Sequence, residues 1–455
     1  MAKDSIYTKP ITGFPEWLPE EQLVEQRFLN TIRHTFEKFG FVPIETPSVE
    51  RDATLESKGE INKQVYSLFR PNVPEDVEKE TGLSLRFDLT VPLARYVAQH
   101  YGKLVFPFRR YQIQKVWRGE RPQKGRFREF YQCDIDIIGD GALDLLADAE
   151  MPAIIYETFA ALDIGEFVIR ISNRKILQGL LAHHNVSGEA AEETLRAVDR
   201  LPKLKGGWPD LAAWLESELS LDKKLIEGLE QVVTCGVGSS TKLEEISKLG
   251  IENPLFQDGI RELAEVFEHL ASLGVPENVV EVDLSITRGL DYYTGTVYET
   301  FLVGHEQTLG SICSGGRYDN LASSFTDRLL PGVGMSIGLT RLFSCLLESG
   351  AIKPGPSSPA DVMVTVPDRE HLADCLSIAH TLREAGLLVE LFGQPMKHDK
   401  QMKATVRKGI PVAVIPWPEK LQDLDSVEIR DLIAGDRKTV PRAEIVSVVG
   451  AILGE

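Results

Sequence analysis

Between Arg109 and Glu129 eight basic side chains (Arg109, Arg110, Lys115, Arg118, Arg121, Lys124, Arg126, Arg128) face two acidic ones, a local +6 within a chain of formal charge −18. Guanidinium forks bind phosphate oxygens bidentately, so this field suits a polyphosphate or a nucleic-acid end; a solvated basic loop is the plain alternative. The same segment continues as Phe130-Tyr-Gln-Cys-Asp-Ile-Asp136. Strand alternation sets Phe130, Gln132, Asp134 and Asp136 on one face and Tyr131, Cys133, Ile135 and Ile137 on the other, a polar face inside a sheet.

Three further stretches carry chemistry. In Leu85-Arg-Phe-Asp-Leu-Thr90, a strand-like run leads into a helix, so Asp88 and Thr90 sit where they can hold an ammonium; equally, Thr90 caps the helix and Asp88 pairs with an arginine. In Thr287-Arg-Gly-Leu-Asp-Tyr-Tyr-Thr-Gly-Thr296 and Cys313-Ser-Gly-Gly-Arg-Tyr-Asp319, glycines flank arginines and tyrosines and imply tight backbone presenting polar groups, though the tyrosines also fit a core. In Pro331-Gly-Val-Gly-Met-Ser-Ile-Gly-Leu-Thr-Arg341, a strand puts Gly332, Gly334, Ser336 and Gly338 on one bare face, where a flat ligand or another backbone fits. Arg341 then opens a helix from which it can stack on an aromatic base. The pattern matches neither the P-loop nor the dinucleotide fingerprint.

Positioning these residues takes an antiparallel hairpin around a Gly- and Pro-rich loop at 119–125, plus strands over 297–303 and 331–338. Leu23 to Phe39 carries a helical apolar stripe that Gly40 ends, and Phe41–Pro47 reads as a strand interrupted at prolines. Residues 176–273 are rich in Leu, Ala, Glu and Lys and read as a mainly helical insertion. Lys353-Pro-Gly-Pro-Ser-Ser-Pro359 is a linker, and short apolar runs such as Val362–Val366, Leu388–Leu391 and Pro411–Ile415 follow it as a small α/β domain. The reading is therefore a split core (1–175 and 274–350), the insertion, a linker at 351–359 and a C-terminal α/β domain at 360–455.

At 455 residues with 43% hydrophobic and 26% charged, the chain is folded and multidomain. Its five scattered cysteines (Cys133, Cys235, Cys313, Cys345, Cys375) form no disulfide framework or zinc ribbon. The absence of an apolar leader or spanning segment predicts a cytoplasmic protein without membrane contact.

In order and identity these segments resemble the class II aminoacyl-tRNA synthetases, and within them the histidyl-tRNA synthetases, over nearly the whole chain. Gly40–Pro47 looks like motif 1, the segment around Arg118 like motif 2, and Gly332–Leu342 like motif 3. Arg288-Gly-Leu-Asp-Tyr-Tyr293 and Ser314-Gly-Gly-Arg-Tyr-Asp319 resemble the histidine-specific signatures.

The resemblance implies an α+β fold: a class II antiparallel sheet flanked by helices, with a helical insertion and a C-terminal anticodon-binding-like α/β domain. It implies a homodimer that joins L-histidine to tRNA(His) using ATP and Mg²⁺, with no resident metal. By the same resemblance Arg118 meets the α-phosphate, Arg126 the outer phosphates and Arg341 the adenine. Arg288 lies between carboxylate and α-phosphate. Asp88, Leu89, Thr90 and Gln132 hold the amino-acid end, Asp136 and Tyr293 read the imidazole, Tyr292 and Tyr318 line the pocket, and Gln123 meets the tRNA acceptor end. The chain departs from the family at Ile415-Pro-Trp-Pro-Glu-Lys420, in place of a Gly-Glu-Asp-Glu-like turn. The rival is the catalytically silent, histidine-binding regulatory subunit of ATP phosphoribosyltransferase, which typically lacks the C-terminal domain and loses active-site arginines; Arg118, Arg126, Arg288 and Arg341 all remain here.

Overall fold

The computed structural model describes residues 8–58, 65–72, 82–121, 125–201, 204–234, 241–287, 293–416 and 425–454. Arg288, Tyr292, Gln123, Cys235 and Trp417–Lys420 lie outside them.

Eight strands build the main sheet: β1 (Val42–Pro43), β2 (Phe108–Trp117), β3 (Glu129–Ile138), β4 (Phe167–Asn173), β5 (Val280–Val282), β6 (Thr296–Leu302), β7 (Cys313–Tyr318) and β8 (Gly332–Gly338). Their order is β1-β2-β3-β8-β7-β6-β4-β5. The six inner strands pair antiparallel, while β1 on β2 and β5 on β4 run parallel at the two edges. Phe41–Pro47, expected as an interrupted strand, keeps only two residues in the ladder, because proline lacks the N–H that continued pairing requires.

One face of the sheet is apolar. Val333, Ile337, Cys133, Ile135 and Ile137 are each at most 1% exposed, and Leu146–Leu162, apolar all round, is buried along most of its length as a core helix should be. The other face, over β3 and β8, opens into the cavity described below.

The Leu85–Leu89 strand expectation needs correction. The strand is Leu83–Leu85, central in a separate three-stranded sheet with Val49–Arg51 and Tyr66–Leu68. Residues 86–89 form a turn into the helix Thr90–His100, whose first free amide, Val91 N, donates to Asp88 Oδ1 at 3.2 Å. Asp88 thus does the capping that the sequence offered to Thr90.

Six helices occupy the stretch read as an insertion: Arg174–His183, Glu189–Arg200, Trp208–Glu218, Lys223–Thr234, Thr241–Ser247 and Pro254–Ser272. The first and last pack backbone to backbone, since a Cβ on Gly179 would lie 2.3 Å from Phe256 N.

Two compact units are present, residues 1–15 with 29–352, and residues 16–28 with 353–455. The second holds a five-stranded sheet of β9 (Val362–Val364), β10 (Val389–Leu391), β11 (Val412–Ile415), β12 (Ser426–Asp431) and β13 (Arg437–Pro441), ordered β10-β9-β11-β12-β13. The three apolar strands run parallel to one another; β12 and β13 add an antiparallel extension. Helices Leu372–Glu384 and Ile445–Leu453 contribute Cys375, Ile378, Leu382, Ile445 and Val449 to its core.

Candidate active site

A cavity of about 750 Å³ opens over β3, β7 and β8. Asp88, Thr90, Arg118, Arg126, Gln132, Asp136, Tyr293, Tyr318 and Arg341, all named from sequence, line it. Leu89 does not: it is 0% exposed and sits in the core between Asp88 and Thr90 of the lining.

The polar face of β3 is as the alternation predicts, and the register with β8 explains the glycines opposite. Asp136 pairs with Gly334, Asp134 with Ser336 and Gln132 with Gly338. A Cβ on Gly334 would lie 2.1 Å from Asp136 Oδ1, and one on Gly332 would meet the Tyr318 ring at 2.4 Å. The bare face is therefore filled at these two positions by the cavity's own carboxylate and phenol, which corrects the expectation of a flat ligand or a second backbone along its whole length. Only Gly338 is open, with nothing within 4 Å of its virtual Cβ. Between them Ser336 Oγ accepts from Gln132 Nε2 at 2.9 Å. Gly316 makes the same kind of room for Tyr293, whose Cδ1 would meet a Cβ there at 3.0 Å.

At the deep end, Tyr318 donates its hydroxyl to Asp136 Oδ1 at 2.6 Å, and Arg110 from β2 forms an ion pair with the same carboxylate. Arg110 is 0% exposed and Asp136 4%. Burial pushes the Asp136 carboxyl up from its usual range, while the Arg110 charge and the tyrosine hydroxyl pull it back. Sequence reading placed Arg110 in a phosphate-binding field, and the structure instead makes it the buried counter-ion of Asp136. A basic run leaves no signal of which member faces inward until the strand register is known.

Other members of that run are also committed to the protein. Arg109 binds Glu150 at 2.8 and 3.1 Å and the Phe39 carbonyl at 3.0 Å, and Lys115 binds Glu129 at 2.7 Å. Arg118 and Arg126 reach the cavity. Arg118 Nε donates to the Phe87 carbonyl at 3.0 Å and its guanidinium lies 5.2 Å from the Phe130 ring centre, which leaves its terminal nitrogens toward the open space. Arg126 is 3.5 Å from Glu120, with a side chain 61% exposed. Arg341 enters from the helix Leu339–Ser349 beside Gly125 and Gly310. Arg317, grouped with ligand-facing residues by its glycine neighbours, turns away and binds buried Asp148 at 2.7 Å.

One positioning residue escaped sequence reading. Arg86, 1% exposed, donates to the carbonyls of Thr46, Pro47 and Lys115 and to Gln114 Oε1, at 2.7 to 3.2 Å. It ties the turn carrying Asp88 to β2, and burial lowers its pKa to about 10. On the far side, Arg174 at the start of the first inserted helix donates to the Tyr293 carbonyl at 2.9 Å.

The cavity thus has a deep end built for a small polar ring and cation, and an outer end of arginines for an anion. Among the described residues no group of three or more His, Cys, Asp or Glu is placed to hold a metal ion, and no helix is long and apolar enough to cross a membrane.

Comparison with known proteins bears on the whole chain. A family model described as histidyl-tRNA synthetase matches residues 13–342, and one described as an anticodon binding domain matches residues 361–452. The histidine–tRNA ligase of Clostridium tetani is 42% identical over 451 residues, 99% of each chain. That of Thermobifida fusca is 44% identical over 428 residues, 94% of this chain and 95% of the relative. The crystal structure of histidyl-tRNA synthetase from Nostoc sp. PCC 7120 superposes with a TM-score of 0.88 at 40% identity, covering 97% of this chain and 99% of that one. An ATP phosphoribosyltransferase regulatory subunit/histidyl-tRNA synthetase from Bacillus halodurans shares the fold at a TM-score of 0.72 and 23% identity, over 87% of this chain and 96% of that one.

Proposed function

The chain belongs to the histidyl-tRNA synthetase family, and from that premise we propose how its cavity divides between its substrates. It is a histidine–tRNA ligase: ATP activates L-histidine, and the histidyl group passes to tRNA(His). In the first step the histidine carboxylate attacks the α-phosphorus, the bond to the β-phosphate oxygen breaks, and histidyl-adenylate and pyrophosphate form. In the second a 3′-terminal ribose hydroxyl attacks the carbonyl and AMP leaves.

The observation that carries the division is the pairing of Asp136 with Arg110 and Tyr318 at one end and the lining by Arg118, Arg126 and Arg341 at the other. Asp136 and Tyr293 read the imidazole, with Tyr318 and Tyr292 beside it. An amino acid lacking those ring N–H groups leaves Asp136 unpaired toward the ligand, a penalty of about 5–6 kcal/mol, roughly 10⁴-fold in selectivity. Asp88, Thr90, Gln132 and the Leu89 backbone take the amino-acid end. Arg118 takes the α-phosphate, Arg126 the outer phosphates, and Arg341 stacks on adenine over open Gly338. Arg288 stabilises the charge that grows on the α-phosphorus, where fixed cations act more strongly than in the ground state. Mg²⁺ arrives on ATP as part of the substrate, in keeping with a hard ion that favours phosphate and water ligands. Gln123 meets the tRNA acceptor end and residues 360–455 its anticodon side. The enzyme works in the cytoplasm as a homodimer joined through Gly40–Pro47.

ATP–pyrophosphate exchange across the twenty amino acids tests this reading, with exchange expected for histidine alone. Exchange with none, beside measurable histidine binding, would turn the protein into the regulatory paralogue. Against that outcome stand the arginines of the cavity and the match of residues 361–452 to an anticodon-binding domain.

A further inference from the structure

Asp134 lies on the cavity face of β3, midway between Gln132 and Asp136, and is 2% exposed. Its Oδ1 meets no hydrogen-bond donor among the described residues. The groups facing it are Ser336 from β8, Arg110 from β2, Asp136 on its own strand, and Asp88 and Arg86 from the turn before Thr90; Cys313 approaches from β7. Of the two cations in that set, Arg110 forms its ion pair with Asp136 while its charge also acts on Asp134, and Arg86 is held by backbone carbonyls. Three carboxyls, Asp88, Asp134 and Asp136, therefore crowd the deep side of the cavity around these two cations, and the unpartnered Oδ1 of Asp134 offers an entering ammonium an acceptor there.

We infer that Asp134 is a ligand for the α-ammonium of histidine, shared with Asp88, and that it surrenders a proton when the amino acid enters. The inference rests on the histidine reading of this cavity. Same-face residues on a strand are about 7 Å apart, comparable to the reach of one histidine from ring to amine, so a ring at Asp136 brings the amine beside Asp134. In the free protein burial raises the Asp134 carboxyl to about 7 against the pull of Arg110 and Ser336, so below neutral pH the protonated form is the larger fraction. On binding, its O–H bond breaks, the proton leaves to solvent, and the carboxylate stays against the N–H groups of the ammonium.

The test is titration calorimetry on the full-length chain, in buffers of different protonation enthalpy slightly below neutral pH. The ligands are histidine and its des-amino analogue imidazolepropionate, which has the same ring and no amine. Histidine should release more protons from the unmutated protein than from Asp134→Asn, whereas the analogue should release equal numbers from both. Asp134→Asn should also weaken histidine at least ~10-fold while moving the analogue less than about twofold. Equal weakening of both ligands, or of neither, would overturn the assignment. Infrared difference spectra of the unmutated protein give an answer independent of how the variant folds: histidine, but not the analogue, should remove a protonated-carboxyl C=O band, and a persisting band would count against Asp134. If the unmutated protein binds no histidine at all, the histidine reading itself falls.

Discussion

Asp136 keeps its place because the residue opposite it has no side chain. Gly334→Ala puts a methyl where the carboxylate lies, 2.1 Å from Oδ1, and backbone on the facing strand cannot retreat without breaking the β3–β8 ladder. We expect the histidine KM in pyrophosphate exchange to rise at least ~10-fold with the ATP KM nearly unchanged; equal shifts would mean that the methyl disturbs the whole cavity. Asp134 gives a pH signature in stability. Its folded value of about 7 exceeds its ordinary value of 3.8, so the folded state binds the extra proton between those limits. The contribution of this carboxyl to stability is thus full below about pH 4, falls as pH rises toward 7, and is flat above. Asp134→Asn should remove that slope from urea midpoints measured across the window. The polar side chains of β3 were legible in the sequence because a period of two needs no tertiary knowledge. The partner of Asp136 was not, because Arg110 joins it only through cross-strand register. Arg86 gave no signal, since the carbonyls of Thr46, Pro47 and Lys115 and the side chain of Gln114 converge on it only after folding.

Elements were readable where one periodicity dominated. The helix Pro19–Lys38 buries Phe28, Ile32 and Phe36 on the expected stripe, and β8 buries Val333 and Ile337 while presenting its glycines. Reading failed at β12, where only Val427 and Ile429 alternate inward between polar neighbours, and at β13, where exposed Arg437, Lys438 and Thr439 leave Val440 as the one buried position. It also failed at 86–89, where a buried Leu89 mimics strand pattern inside a turn. Among the inserted helices, Gly179 and Gly259 let Arg174–His183 and Pro254–Ser272 approach until backbone meets backbone, a Cβ on the first lying 2.3 Å from Phe256 N and one on the second 2.8 Å from Ile176 N. Gly179→Val should therefore force these helices apart and cost about 1–3 kcal/mol, read as a lower denaturation midpoint. Because Arg174 also holds the Tyr293 carbonyl, the same variant should weaken histidine more than ATP. A variant of normal stability would show that the contact yields without strain.

At the scale of the molecule, the formal charge of −18 means that tRNA must meet local basic surface against a repelling background. Each phosphate contact releases counter-ions, so the KM for tRNA should climb steeply between about 50 and 200 mM salt. Pyrophosphate exchange, which involves small ligands in a cavity, should change far less over that range; parallel curves would place the salt sensitivity in the active site. The allocation of residues 16–28 to the same compact unit as residues 353–455 has a consequence for biosynthesis. During translation residues 16–28 leave the ribosome long before residues 353–455, and Glu20, whose carbonyl accepts from Gly355 N at 3.4 Å, waits for its partner until more than three hundred further residues have been made. A nascent chain can close the β3–β8 cavity while the first turns of its opening helix still have an uncovered side, available to chaperones.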